Sequence, residues 1–171
     1  MRGTIFQQVP LIVLALACAA IPAVSVAADV PTKPLAKPPT SKQIERGHYL
    51  VVITGCNYCH TPNYLVNGAK APLKDLLTGG KLGWRGPWGT TYPANLRLYF
   101  NSITVDQWIQ AAKTIQRRPP MPYFSLNAMT ETDVRAIYQY MRSLGPAGEP
   151  APNFVPADKE PPKPYVQFPM Q

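Results

Sequence analysis

The sequence predicts an all-α domain of three or more short helices joined by long ordered loops, and three observations carry that expectation. Three segments open on a capping threonine and continue with apolar residues at helical spacing. Residues 70–100, between the first two of them, are rich in Gly and Pro and show no strand alternation. The 171 residues hold one domain or two small ones and leave no room for a large multidomain enzyme. With 46% hydrophobic and 15% charged residues a core can form, even with 21 prolines.

The chain opens with Arg2, an apolar run from Leu11 to Val24 and the small residues Ser25, Ala27 and Ala28. This pattern reads residues 1–28 as a secretory signal peptide, so export to the periplasm is expected. The run is bracketed by Pro10 and Pro22, short of the roughly 20 apolar residues that a bilayer span needs. Membrane anchoring would require a retained signal or a lipid on Cys18. Residues 29–39 carry Pro31, Pro34, Pro38 and Pro39 and read as a linker. The ordered domain is expected over residues 40–144.

Its first helix is expected from Thr40, with Gln43 as capping-box partner, to about Thr54, and Gly47 on its apolar face would let another helix approach closely. A second begins at Thr104, boxed by Gln107, and presents Val105, Trp108, Ile109, Ala112 and Ile115 on one face. A third begins at Thr130, with Asp133 at the capping position, and runs through Val134, Ile137, Tyr138 and Met141 to Leu144, where Gly145 and Pro146 end it. Met129 and Val134 have the spacing of a hydrophobic staple. Residues 145–171 contain eight prolines and cannot be helical; two readings stand, a polyproline-type strap across the domain and a disordered tail. A domain with so thin a core needs a staple.

Cys56-Asn57-Tyr58-Cys59-His60 supplies one. C-x-x-C-H is the attachment signature of c-type haem, with two thiols spaced to add to the vinyl groups of one porphyrin and the adjacent imidazole placed to ligate iron. A structural zinc site would need four ligands, and an exported chain offers only these three and the distant His48. A thioredoxin-like pair would need a strand leading in, where a helix leads in and Thr61-Pro62 follows. A plain disulfide would leave His60 without a role. One covalent haem c per chain is therefore expected.

This motif, followed downstream by Pro119-Pro120-Met121-Pro122-Tyr123-Phe124 and a capped terminal helix, resembles the bacterial class I cytochromes c, and in particular the single-haem domains that accompany periplasmic dehydrogenases. The resemblance covers about residues 43–144, including the loops Gly86-Pro87-Trp88-Gly89 and Tyr92-Pro93-Ala94-Asn95-Leu96. It implies the all-α cytochrome c fold, with terminal helices crossed beside a haem held by His and Met. Elimination among the methionines favours Met121 as sixth ligand: Met1 leaves with the signal, Met141 lies on an apolar helix stripe, Met170 lies in the tail and Met129 fits the staple. Prolines on both sides stiffen the loop around Met121, and the resemblance points to the same residue. A buried hydrophobe in a rigid turn remains the other reading of Met121. His48, on the helix before the motif, reads as a solvated or hydrogen-bonded helix histidine.

Trp84, Arg85, Trp88, Tyr92 and Asn95 are candidates for a haem shell that donates hydrogen bonds to the propionates or near Met121, with Trp88 and Asn95 favoured by the resemblance; ordinary loop packing is the alternative. An iron with both axial positions filled by protein is left with one-electron chemistry. The expected function is electron transfer between a dehydrogenase or other respiratory donor and an acceptor such as a terminal oxidase or another cytochrome, without catalysis by the chain itself. The alternatives are an open-iron peroxidase or gas sensor, and a haem-bearing structural subunit of a dehydrogenase. Lys and Arg exceed Asp and Glu by 17 to 9, and residues 70–118 hold eight basic residues against two acidic, a surface suited to an acidic redox partner. Nucleic acid is not an expected partner, since no binding module is present.

Overall fold

The computed structural model describes residues 38–170. The signal peptide, Cys18 and nearly all of the linker lie outside the described residues. Helix α1 (Ser41–Ile53) starts where predicted, because both halves of the box form: Thr40 Oγ1 accepts from the Gln43 amide and Gln43 Oε1 accepts from the Thr40 amide. Helix α2 (Cys56–His60) carries the motif. Helix α3 spans Leu96–Ser102, and α4 (Val105–Thr114) is boxed by Thr104 and Gln107 in the same reciprocal way. A short α5 (Tyr123–Ala128) precedes α6 (Glu131–Leu144). Thr130 accepts from the Asp133 amide, but the Asp133 carboxylate turns outward and takes Arg46 of α1 at 2.9 Å.

The crossing of α1 and α6 is the centre of the fold. Gly47 is buried, and a methyl placed on it would sit 2.7 Å from Tyr140 Cβ and closer still to the Ala136 carbonyl, so the contact requires a residue without a side chain. Val51, Val134, Ile137 and Met141 fill the interior between the two helices and meet Phe100 of α3 and Trp108 of α4. Phe100 and Trp108 pack edge to face with ring centres 4.6 Å apart, and Trp108 Nε1 donates to the Val134 carbonyl at 2.8 Å.

Two regions depart from the all-α expectation. Residues 70–100 contain β1 (Gly83–Gly86), β2 (Gly89–Thr91) and the whole first turn of α3. The tail contributes β3 (Tyr165–Gln167), giving a sheet of order β2-β1-β3 in which β1 pairs antiparallel with β2 and parallel with β3. Strands of three or four residues are too short to display alternation, and the second partner of β1 arrives from about eighty residues downstream. The tail is thus a strap rather than a disordered end, held to the hairpin also by a bridge between Thr90 and Val155.

Candidate functional site

Gly55, with a φ of +71°, turns the chain sharply from α1 into α2, and the Tyr58 ring lies against its α-carbon. Within α2 the buried Asn57 accepts at Oδ1 from Thr61 Oγ1 at 2.7 Å, and Thr61 Oγ1 accepts from the Leu77 amide at 2.8 Å. The Leu77 carbonyl accepts in turn from the Leu96 amide at 3.0 Å. Leu77 is fully buried with a φ of +61°, a left-handed conformation unusual for leucine and held by these bonds on both sides. The motif helix and α3 are tied together through this residue.

His60 Nδ1 lies 2.8 Å from the Ala94 carbonyl. That carbonyl can only accept, so Nδ1 carries the proton and the Nε2 lone pair remains for a ligand, the arrangement by which protein groups orient a metal-binding imidazole. Burial pushes the His60 pKa below its ordinary value, the Ala94 bond opposes this more weakly, and the ring is neutral at neutral pH. Burial raises both thiols, Cys56 most directly and Cys59 with a further push from Cys56. Neither cysteine is in a disulfide, and Cys56 Sγ lies 3.4 Å from Thr54 Oγ1.

Cys56, Cys59, His60 and Met121 all line one largely apolar cavity of about 300 Å³. It lies among α2, the hairpin, α3, the loop before α5 and α6, with Leu96, Phe100, Ile137 and Met141 on its wall. Met141 faces the cavity as well as the core, whereas Met129 packs against the core without reaching the cavity. Among the described residues no three of His, Cys, Asp and Glu are gathered as a bare metal ion requires, so the donor set suits an iron brought by a macrocycle. Two buried donors give an independent test of that fit. Trp84 Nε1 and the Tyr92 hydroxyl are buried on residues of the cavity wall and have no hydrogen-bond partner among the described residues. Buried polar groups are seldom left unpaired, and carboxylate groups on a bound haem would satisfy both.

Of the two shell residues favoured by the resemblance, Trp88 and Asn95, neither lines the cavity. Trp88 rests on Phe168 of the strap and donates through Nε1 to the Trp84 carbonyl. Asn95 caps α3, accepting from the Leu98 amide at 3.0 Å, while its Nδ2 donates to the carbonyls of Ala147 and Glu149. His48 is exposed on α1, with its ring tilted against that of Tyr140 at 5.1 Å between centres. The basic surface is smaller than the sequence count implied. Arg97 is buried on the carbonyls of Leu73, Leu76, Leu144 and Gly145, and Arg85 pairs with Glu160 at 3.3 Å. Lys70, Lys74, Lys81, Arg117 and Arg118 are exposed, the two arginines beside the cavity.

A cavity carrying two thiols, an oriented imidazole and a thioether has the donor set that a c-type haem requires, and the chain is similar to subunits of two dehydrogenases. The chain is 31% identical to the fructose dehydrogenase cytochrome subunit of Gluconobacter japonicus over 133 residues, which is 71% of this chain and 26% of that protein. It is 27% identical to a nicotinate dehydrogenase subunit of Pseudomonas putida over 124 residues, 66% of this chain and 10% of that protein. The chain thus spans about a quarter and a tenth of the curated relatives it matches. No family model and no solved structure matches it.

Proposed function

We propose that this chain is a periplasmic monohaem c-type cytochrome that passes single electrons from a dehydrogenase to a downstream acceptor, as a carrier or as a subunit of the dehydrogenase complex. The observation that carries the reading is the convergence of Cys56, Cys59, His60 and Met121 on one apolar cavity. The names of both relatives, a dehydrogenase cytochrome subunit and a dehydrogenase subunit, favour a dehydrogenase as the partner.

When bound, haem would supply a one-electron couple at iron. Cys56 and Cys59 would hold it by thioether bonds, and His60 would offer Nε2 to the iron while the Ala94 carbonyl orients its ring. Met121 would offer its sulfur as the other ligand, and Trp84 and Tyr92 would donate to the propionates. Phe100, Ile137 and Met141 exclude water, which keeps the surroundings of low polarity and raises the cost of positive charge at the centre. Arg117 and Arg118 leave a positive rim beside the cavity for an acidic partner.

The test is the optical spectrum of haem-matured protein, oxidised and reduced, for wild type, Met121→Ala and Met141→Ala. Loss of the methionine-to-iron charge-transfer band in Met121→Ala alone supports the reading. A wild type that is high-spin and binds carbon monoxide has an open iron, and the peroxidase or gas-sensor function then replaces electron transfer.

A further inference from the structure

The loop that carries Met121 is weakly held by its own sequence. Every residue from 116 to 122 is exposed or half-buried. Its local bonds are few: the Met121 amide donates to the Arg118 carbonyl at 3.4 Å and the Tyr123 amide to the Met121 carbonyl at 2.9 Å. A segment with few buried contacts opens readily, yet a thioether must stay within bonding distance of iron to act as a ligand.

The restraint comes from the hairpin and the strap laid over it. Thr91 Oγ1 donates to the Pro119 carbonyl at 3.0 Å, tying β2 to the loop. Phe154 of the strap lies over Gly89 at the hairpin turn and carries the Arg118 guanidinium 4.0 Å above its ring centre, a cation–π contact. Val155 exchanges two backbone bonds with Thr90, at 2.7 and 3.0 Å, and so fixes where the Phe154 ring stands. Farther along, the Phe168 amide donates to the Arg85 carbonyl at 2.8 Å, and its ring contacts Trp84, on the cavity wall.

We infer that the C-terminal strap holds the Met121 loop closed over the cavity, with Phe154 as the positioning residue acting through Arg118. The inference rests on the reading of Met121 as the sixth iron ligand and adds what keeps it there. The tail is then part of the ligand-retaining machinery of the site. Phe154 does not line the cavity.

The test uses the full-length, haem-matured protein and compares wild type with Phe154→Ala and Phe154→Trp. The readouts are the methionine charge-transfer band of the ferric state and the rate of carbon monoxide binding to the ferrous state. Wild type should show the band and bind carbon monoxide slowly. Phe154→Ala should weaken the band and speed binding about ten-fold, and Phe154→Trp, which keeps a ring for the guanidinium, should restore both. A merely structural role would lower the melting temperature of Phe154→Ala while leaving the carbon monoxide rate at the wild-type value, and that result overturns the inference. A wild type without the band that binds carbon monoxide at once overturns the ligand assignment itself, and this inference with it. Should Phe154→Ala fail to mature, hydrogen exchange on wild type decides. The Tyr123 and Val155 amides should exchange through one common opening, and exchange of Tyr123 while Val155 stays protected overturns the inference.

Discussion

Gly47 on α1 meets the Ala136 backbone on α6 with no room between them for a methyl group. Alanine is the better helix former by about 1 kcal/mol, so propensity alone favours Gly47→Ala. The obstructing Ala136 carbonyl is backbone and cannot swing aside. Gly47→Ala should therefore destabilise the protein by about 1–3 kcal/mol, seen as a lower melting temperature. An unchanged or raised melting temperature would show that the helices can separate at little cost.

Asn95 does two jobs that substitution can separate. Its Oδ1 caps α3, and its Nδ2 binds the tail carbonyls of Ala147 and Glu149. Asn95→Ser keeps a neutral oxygen for the cap and loses the donor, while Asn95→Ala loses both. Urea unfolding should rank the stabilities as wild type, then Ser, then Ala, with Ala lower than wild type by about 2–3 kcal/mol. Equal losses in the two variants would mean the cap contributes nothing.

His60 sets an acid limit. Its pKa is lowered in the fold, so the unfolded chain takes up the proton first as pH falls. The favourable contribution of the neutral ring is complete above its ordinary value of 6.5 and is lost only as pH falls below it. In the chain before haem is attached, stability to urea should hold steady above pH 6.5 and fall as pH drops below it, while stability that falls already above 6.5 would contradict a buried, neutral imidazole.

Tyr92 offers a test by sign. If its buried hydroxyl had no partner in the matured protein, Tyr92→Phe would remove an unpaired polar group and stabilise the fold. If the hydroxyl donates to a haem carboxylate, the same change should destabilise the matured protein by about 1 kcal/mol in thermal melts.

Local sequence spoke clearly wherever the determining residues are neighbours. Thr40 with Gln43, and Thr104 with Gln107, set the helix starts within four residues, and Cys56, Cys59 and His60 carry the cavity chemistry within five. Asn95 reads from the sequence as a candidate haem-shell residue and not as a cap, because the helix it starts follows a proline-rich loop that hides the apolar period. The roles of Trp84 and Tyr92 depend on a hairpin whose second partner is the tail, and no local pattern joins residues 83–86 to 165–167. Leu77 gives no sequence signal, since its positive φ follows from three hydrogen bonds contributed by residues distant in the chain.

The strap pairs with β1 and β2 and receives the Asn95 donor, so truncation after Leu144 would damage the domain itself.

Arg97 binds the carbonyls of Leu73 and Leu76 with one nitrogen of its fork and those of Leu144 and Gly145 with the others. The loop ahead of these carbonyls is open to solvent, with Val66 82% exposed. A protease nick at Val66 should accordingly produce two fragments that migrate as one particle until denatured. The piece ending at Val66 retains the Thr61 bond to Leu77 and in the matured protein would carry the thioether links as well, while Arg97 keeps the other piece in shape.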